Sequence, residues 1–163
     1  MPPLRGDAVS AAGRWLRLLA RVGLAAMFLY AGALKLVEPA GLAQDMSNYR
    51  LLPDGLVPVL AIGLPVLEVV TGLALLLASH ARGAAALSAL MLALFAVAMA
   101  QAKLRGIDVA CGCFGADATT QVSWSKVALN LALAILSIWI AWPPRTPSAR
   151  TTAAAPPPSA QPS

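Results

Sequence analysis

The chain alternates between long apolar stretches and shorter polar ones, and the apolar stretches have the length of membrane-spanning helices. They cover residues 16–36, 56–78, 84–102 and 126–142. A helix needs about 20 mostly apolar residues to cross the hydrocarbon core of a bilayer. The pattern therefore predicts an all-α fold, an integral membrane four-helix bundle that occupies residues 15–142.

Two long polar stretches, residues 37–55 and 103–125, separate the first helix from the second and the third from the fourth. Between Pro39 and Pro53 the first of them shows helical spacing of apolar residues, which predicts a short helix at the membrane interface. One side of this helix would carry Leu42, Met46, Tyr49 and Leu52.

The two ends of the chain are predicted to lie outside the bundle. Residues 1–14 are polar and mixed, and they form a predicted cytoplasmic segment. The apolar run that follows lacks a clear cleavage site, so it is interpreted as a helix and not as a cleaved signal. Residues 143–163 are rich in Pro, Ala, Ser and Thr, have nothing to bury, and are predicted to be disordered.

Composition excludes two broad classes of protein. Hydrophobic residues make up 59% of the chain and charged residues 12%, against about 45–50% and about 25% in soluble domains. A soluble enzyme would need more polar surface than this, and a fully disordered chain would need fewer apolar residues.

The net charge of +5 is interpreted as a signal of membrane orientation. Arg5, Arg14, Arg17 and Arg21 all precede the apolar part of the first helix, and positive residues favour the cytoplasmic side. Both termini are therefore predicted to be cytoplasmic, and both long loops to face outward. No basic stripe with interleaved aromatic residues is present, so nucleic-acid binding is not predicted.

The chain's two cysteines, Cys111 and Cys113, are separated by one residue. A disulfide between them would close a small, strained ring, and strain makes a disulfide labile. Such a bond adds little stability through loop entropy. The spacing therefore favours thiol–disulfide exchange over structural bracing, and the cations Lys103 and Arg105 would increase the thiolate fraction.

Other roles for the cysteines stay open at this stage. A structural zinc ion takes four ligands, so two cysteines do not complete a site within one chain, and His80 is predicted to lie on the opposite side of the membrane. The alternatives to a redox pair are a metal site within one chain, a metal bridging two chains and a pair of inert thiols.

Glu68 lies near the middle of the second predicted span, where an ionised side chain costs at least about 2.5–3.5 kcal/mol. It is expected to face the bundle interior and to be protonated or paired. Lys35 is the nearest plausible cation, although Glu68 lies about 18 Å below Leu56 at 1.5 Å per residue. A pair would thus require helix tilt or a later helix start. Glu68 is interpreted as either a proton-relay or ligand group or a structural acid.

Besides Lys35 and Glu68, three polar residues lie at or near the outer ends of the predicted helices, and these are Glu38, Gln101 and Asn130. Lys35 and Glu38, three residues apart, are interpreted as an interfacial anchor pair, with a functional site as the alternative. Gln101 and Asn130 lie near the outer ends of the third and fourth helices. Both are expected to hydrogen-bond across the bundle in a packing role.

Four sequence stretches together resemble the MauE family of methylamine utilisation membrane proteins, which is related to DoxX-like four-helix proteins. These are GALKLVEP at 32–39, YRLLP at 49–53, GLPVLEVVTGLALL at 63–76 and RGIDVACGCFG at 105–115. The resemblance covers residues 15–142, and the Cys-Gly-Cys-Phe-Gly motif is its most specific element.

The resemblance implies a multi-pass protein of the bacterial inner membrane that supports maturation of methylamine dehydrogenase. It implies a thioredoxin-like MauD-type partner, with the disulfide-rich small subunit of the dehydrogenase as a possible client. Carried over by residue, Cys111 and Cys113 are the redox pair, and Gly112, Phe114 and Gly115 shape their loop.

The leading hypothesis is a thiol–disulfide oxidoreductase that supports disulfide formation or isomerisation in the periplasm. The alternatives are a non-catalytic membrane scaffold for a maturation complex and a small proton-coupled transporter that uses Glu68. No haem pair, flavin fingerprint or nucleotide loop is present. A quinone is compatible with the sequence, because it binds apolar grooves without leaving a motif, and membrane lipid surrounds the bundle.

Overall fold

The computed structural model describes residues 5–53, 55–107 and 122–142. Within these residues the chain forms helices and no strands, which confirms the all-α prediction. Four of the helices are long and apolar enough to cross a membrane. The helices are α1 (Arg5–Val37), α2 (Pro39–Asn48), α3 (Val57–Leu76), α4 (Ala81–Leu104) and α5 (Trp124–Ala141).

The structure places the four long helices near their predicted positions but changes some ends. The first helix begins at Arg5 and not near residue 16, because no proline interrupts residues 5–37 and polar side chains do not by themselves end a helix. The predicted interfacial helix is α2, which has Pro39 in its first turn. The predicted disordered tail at 143–163 lies outside the described residues and stays a prediction.

Neighbouring spans run antiparallel, so the bundle has two distinct ends. We call the end that holds Val37, Val57, Leu104 and Trp124 the loop end, and the opposite one the termini end. At the termini end the Arg17 guanidinium donates to the Trp142 carbonyl at 2.8 Å and lies 4.8 Å from the centre of the Trp139 ring. These contacts join α1 to α5.

Small residues allow the helices to approach closely. Ser88 of α4 and Ser137 of α5 are fully buried, and each hydroxyl donates to a carbonyl of its own helix. A Cβ built on Gly72 of α3 would lie 2.8 Å from Leu29 Cγ of α1, and one on Gly32 of α1 would lie 2.9 Å from the Pro65 carbonyl oxygen of α3. Many large apolar side chains on the outer faces are exposed, as expected for helices that face lipid.

Replacing Gly32 by alanine is expected to lower the free energy of unfolding by about 1–3 kcal/mol relative to the matched change Gly23→Ala. The new Cβ at Gly32 would also lie 2.9 Å from Val69 Cγ2, whereas Gly23 has nothing within 4 Å. Both positions lie in α1 and gain the same helix propensity, so the difference isolates the contact with α3. Thermal unfolding of both variants in the same detergent measures it, and equal midpoints would contradict the close approach.

Candidate functional site

The segment that carries the cysteines leaves α4 through a defined turn. Gly106 has a φ of 67°, a left-handed conformation that glycine adopts without strain. The Ile107 amide donates to the Ala102 carbonyl at 3.0 Å, and the Gly106 amide donates to the Lys103 carbonyl at 3.2 Å. This pair of bonds is a Schellman motif, so it ends α4 and sets the direction in which the chain continues.

Both ends of the cysteine segment pack in one apolar cluster at the loop end. Val122, which follows the segment, is 3% exposed and packs in the cluster, and Ile107, which precedes it, packs against the same cluster. The cluster, which we call the loop-end cluster, consists of Ala96, Met99, Ala102, Val122 and Val127. The predicted redox motif itself, Cys111, Gly112, Cys113, Phe114 and Gly115, lies outside the described residues.

The two cations predicted to support the thiols lie where α4 ends. Lys103 is in the last turn and Arg105 is the C-terminal cap. Cations at this position also interact favourably with the negative end of the helix dipole. Their place in the fold is therefore explained by α4 itself, and their effect on the cysteines stays a prediction.

A buried ion pair joins α1 to α3. Lys35 Nζ lies 2.5 Å from Glu68 Oε1, and the two side chains are 5% and 3% exposed. The same ammonium lies 5.2 Å from the centre of the Phe95 ring on α4, which is within the range of a cation–π contact. The interpretation of Lys35 and Glu38 as an interfacial anchor pair is wrong, because Lys35 points into the bundle and Glu38 is exposed.

The offset of α1 relative to α3 brings the two charges together. The close approaches of Gly32 to Pro65 and of Gly72 to Ala25 set an antiparallel register that places Val37, the last residue of α1, beside the second turn of α3. The long lysine stem then reaches Glu68, which lies about three turns into α3. Glu68 lies deeper in the bundle than the end of α1, as the sequence indicates. The offset between α1 and α3 brings Lys35 within reach of it.

A small cavity of about 70 Å³ adjoins the ion pair on the side of α5. Its lining includes Glu68, Phe95 and Asn130. Glu68 Oε2 is buried and has no hydrogen-bond partner among the described residues. The cavity has room for a water molecule, and a water there can donate a hydrogen bond to Glu68 Oε2.

Among the described residues, neither Asn130 nor Gln101 makes the expected side-chain hydrogen bond to another helix. Asn130 Nδ2 donates to the Lys126 carbonyl of its own helix at 3.0 Å. Gln101 is exposed near the C-terminal end of α4. An asparagine near a helix start finds a backbone carbonyl one turn away, so it does not need a partner on another helix.

A larger cavity, which we call the outer cavity, lies at the loop end between α2 and the bundle. Its volume is about 130 Å³, and it is partly open. The four residues that the sequence placed on one side of the interfacial helix all line it. The lining consists of Lys35, Leu42, Asp45, Met46, Tyr49, Leu51, Leu52, Leu64, Phe95, Ala98 and Met99.

Asp45 and Phe95 also line the outer cavity, although neither was predicted from the sequence as part of a site. Asp45 lies three residues after Leu42 and therefore on the same side of α2, which is a signal that the sequence offers. Burial, and secondarily the nearby Glu38 carboxylate, raise the pKa of Asp45 above its ordinary value. Phe95 is one of many apolar residues in α4, and no sequence signal distinguishes it.

His80 lies far from the cysteine segment. It precedes α4 at the termini end, and its Nδ1 lies 2.9 Å from the Ser79 hydroxyl. The 24 residues of α4 separate the two ends by about 36 Å at 1.5 Å per residue. His80 therefore lies at the opposite end of α4 from Ile107, the residue after which the cysteine segment follows.

Comparison with known proteins gives a consistent result. The family model described as methylamine utilisation protein MauE matches residues 13–143. A methylamine utilization protein MauE of Paracoccus denitrificans is 37% identical over 122 residues, which are 74% of this chain and 66% of that protein. The protein of the same name from Paracoccus versutus is 34% identical over 116 residues, 71% of this chain and 62% of that protein.

A third relative, from Methylorubrum extorquens, is 36% identical over 96 residues, 58% of this chain and 52% of that protein. The chain thus spans between 52% and 66% of the length of these curated relatives. No solved structure gives a significant match. Because the family model covers all four candidate spans and the segment between α4 and α5, the chain belongs to the MauE family.

Proposed function

We propose that this protein acts in methylamine utilisation as a membrane-bound thiol–disulfide oxidoreductase. Its redox pair is Cys111 and Cys113, and it supports disulfide formation or isomerisation outside the cytoplasm. Membership of the MauE family supports the pathway, and the relatives bear the name of that pathway. The proposed setting is the bacterial inner membrane, with both termini in the cytoplasm and the loop end facing outward.

The proposed exchange balances in atoms and electrons. A thiolate of a client dithiol attacks one sulfur of the Cys111–Cys113 disulfide, and a mixed disulfide forms while the other cysteine leaves as a thiolate. The second client thiol then displaces the first cysteine. The client has lost two electrons and two protons, and the chain has gained two electrons and holds a dithiol. A thioredoxin-like partner of the MauD type, or another two-electron acceptor, reoxidises it.

The observation that carries this proposal is the anchoring of the cysteine segment. Ile107 and Val122, the residues on either side of it, pack against a single buried cluster, and a Schellman motif fixes its start. Both attachment points are therefore held by packed helices. The residues that flank the cysteine pair are thus held at one end of the bundle, which supports exchange with a protein partner that approaches from that end.

The transporter alternative is supported by one observation, the unpartnered Glu68 Oε2 beside a cavity. The other oxygen of the same carboxylate is held by Lys35 inside the bundle. A carboxylate with a buried cation as its partner already has a structural role, so this alternative ranks second.

The redox potential of the cysteine pair tests the proposal. Titration against glutathione, followed by alkylation and mass measurement, is expected to detect an intramolecular disulfide with a potential above about −300 mV, the upper range of structural disulfides. The reason is ring strain, together with stabilisation of the thiolate by nearby cations.

In spheroplasts, a membrane-impermeant maleimide should label the reduced pair, as an outward loop end requires.

A Cys111→Ser variant serves as the control, because it leaves one thiol and no intramolecular bond. A potential in the range of structural disulfides would contradict an oxidant or isomerase role. The absence of any bond between the two cysteines would favour metal binding or a disulfide between two chains. Labelling only after the membrane is permeabilised would overturn the proposed orientation.

A further inference from the structure

The outer cavity has the size and walls of a site for one neutral ring. Its volume is about 130 Å³, close to that of an engineered apolar cavity of about 150 Å³ that binds benzene. Most of the residues that line it are apolar, among them Leu64, Phe95 and Ala98. Walls of this kind favour an uncharged ring over an ion, because little around the ring would solvate a charge.

One strong hydrogen-bond donor reaches this apolar space. Lys35 lines the outer cavity as well as the smaller cavity beside Glu68. Its ammonium carries three donors and no acceptor; one is bound by Glu68 Oε1, and the charge lies over the Phe95 ring. A ligand that accepts a hydrogen bond, such as a carbonyl oxygen, therefore complements Lys35.

Asp45 supplies the second polar group on the wall. The shift of its pKa favours the protonated carboxyl more than at an exposed aspartate, and a protonated carboxyl is a donor. The cavity lies between α2 and the spans and is partly open. Met99 belongs both to this wall and to the loop-end cluster against which Ile107 and Val122 pack.

We propose that the outer cavity binds the head ring of a membrane quinone, with Lys35 as the donor to one of its carbonyl oxygens. A quinone is uncharged, has a single ring in its smallest form, carries carbonyl acceptors and resides in the membrane. It therefore meets each requirement of the cavity. Nothing in this binding step depends on the cysteines.

The role of the bound quinone rests on the function proposed above. The Cys111–Cys113 dithiol loses two electrons and two protons and becomes a disulfide, and the quinone gains them and becomes a quinol. The site would then supply the electron acceptor that the thiol chemistry requires. Asp45 lines the same cavity and is a titratable group from which the reduced ring can take a proton.

Binding is tested with the full chain in lipid nanodiscs and a short-chain benzoquinone as the probe. Isothermal titration calorimetry is expected to detect saturable binding, and the alcohol with the same isoprenoid tail should bind about tenfold more weakly or worse, a difference of about 1.4 kcal/mol or more. Ala98→Leu fills the cavity and should weaken quinone binding by at least about tenfold. The matched control Ala132→Leu, on an exposed face of α5, should leave binding unchanged.

Leu42→Phe on α2 gives a second way to fill the cavity if Ala98→Leu does not fold. Equal binding of the alcohol and the quinone would overturn the proposal in favour of a groove for lipid tails. Undiminished binding in both filled variants would also overturn it.

The redox step has a separate test. The variant Cys111→Ser/Cys113→Ser should still bind the quinone, whereas the reduced unmodified chain should form quinol in proportion to its cysteine pairs. Binding without quinol formation supports the site and overturns the acceptor role, whereas the proposed function is overturned only by the potential of the cysteine pair described above. Quinol formation in the absence of binding at the outer cavity would overturn the site alone.

Discussion

Replacing Lys35 by methionine is expected to lower the free energy of unfolding by about 3–5 kcal/mol. The change removes the cation that lies 2.5 Å from Glu68 Oε1 and leaves a carboxylate that is 3% exposed without its partner. Taking a charge out of water without compensation is costly, and the bundle offers Glu68 no other cation at this distance among the described residues. Glu68→Gln should have a similar effect, because it leaves the buried ammonium of Lys35 without an anion.

The double variant Lys35→Met/Glu68→Leu is expected to recover most of this loss, since apolar residues of similar volume replace buried ion pairs at little or no cost. Thermal and denaturant unfolding in one detergent would measure the complete double-mutant cycle. Glu38→Gln is the matched control, because it makes the same chemical change at an exposed glutamate. If the effects of the two single changes simply add in the double variant, the ion pair is not the source of the loss.

The same double variant separates two of the functional hypotheses. A proton-coupled transporter needs the ionisable group of Glu68 and would lose its activity. A thiol–disulfide oxidoreductase whose ion pair is structural would keep its exchange with a client dithiol once stability is restored, because that step does not involve the quinone bound by Lys35. Measurement of thiol exchange by the double variant therefore decides whether Glu68 has a role beyond packing.

The change Cys111→Ser/Cys113→Ser is expected to abolish the function proposed here while the protein stays folded. The serine hydroxyl cannot form a disulfide, and both changes leave the anchoring residues Ile107 and Val122 unaltered. In a strain that requires this chain for growth on methylamine, the yield of active dehydrogenase should fall to that of a strain lacking the chain. Immunoblots of the membrane fraction would confirm that the variant accumulates normally.

Single replacements give a signature that a scaffold would not produce. With one cysteine left, the mixed disulfide with a client or partner cannot resolve within the chain. In Cys111→Ser or Cys113→Ser the remaining thiolate can still attack the disulfide of an oxidised partner and release one partner thiol, so a mixed disulfide is expected that is visible on a non-reducing gel and lost on reduction. Full maturation activity in the double-serine variant would favour the scaffold or the transporter.

Local features of the sequence were sufficient to predict most of the secondary structure. Hydropathy averaged over a span needs no knowledge of neighbours, so all four long helices were predicted near their true positions. The spacing of Leu42, Met46 and Tyr49 correctly predicted a short helix with one distinct side. The single acid inside a span, Glu68, was correctly expected to face inward, because an unpaired charge facing lipid is costly.

The geometry of the candidate site depends on how the helices pack against one another, which no single segment of the sequence determines. Lys35 was interpreted as an interfacial anchor because its depth depends on how far α1 is offset from α3. The close approaches at Gly32 and Gly72 set that offset, and a glycine in a sequence does not reveal which backbone it will approach. Phe95 entered the site for the same reason, since only the packing of α4 against α3 brings its ring to the ammonium of Lys35.

The sequence alone thus determined which segments enter the membrane, because burial in lipid depends on each segment's own composition. It also determined that the cysteines form one motif between the last two spans. Only the tertiary structure decided that Ile107 and Val122 return to a common cluster, and that α2 covers a ring-sized cavity. Cavities and ion pairs depend on the relative offset of packed helices, and that offset is the sum of many small contacts distant in sequence.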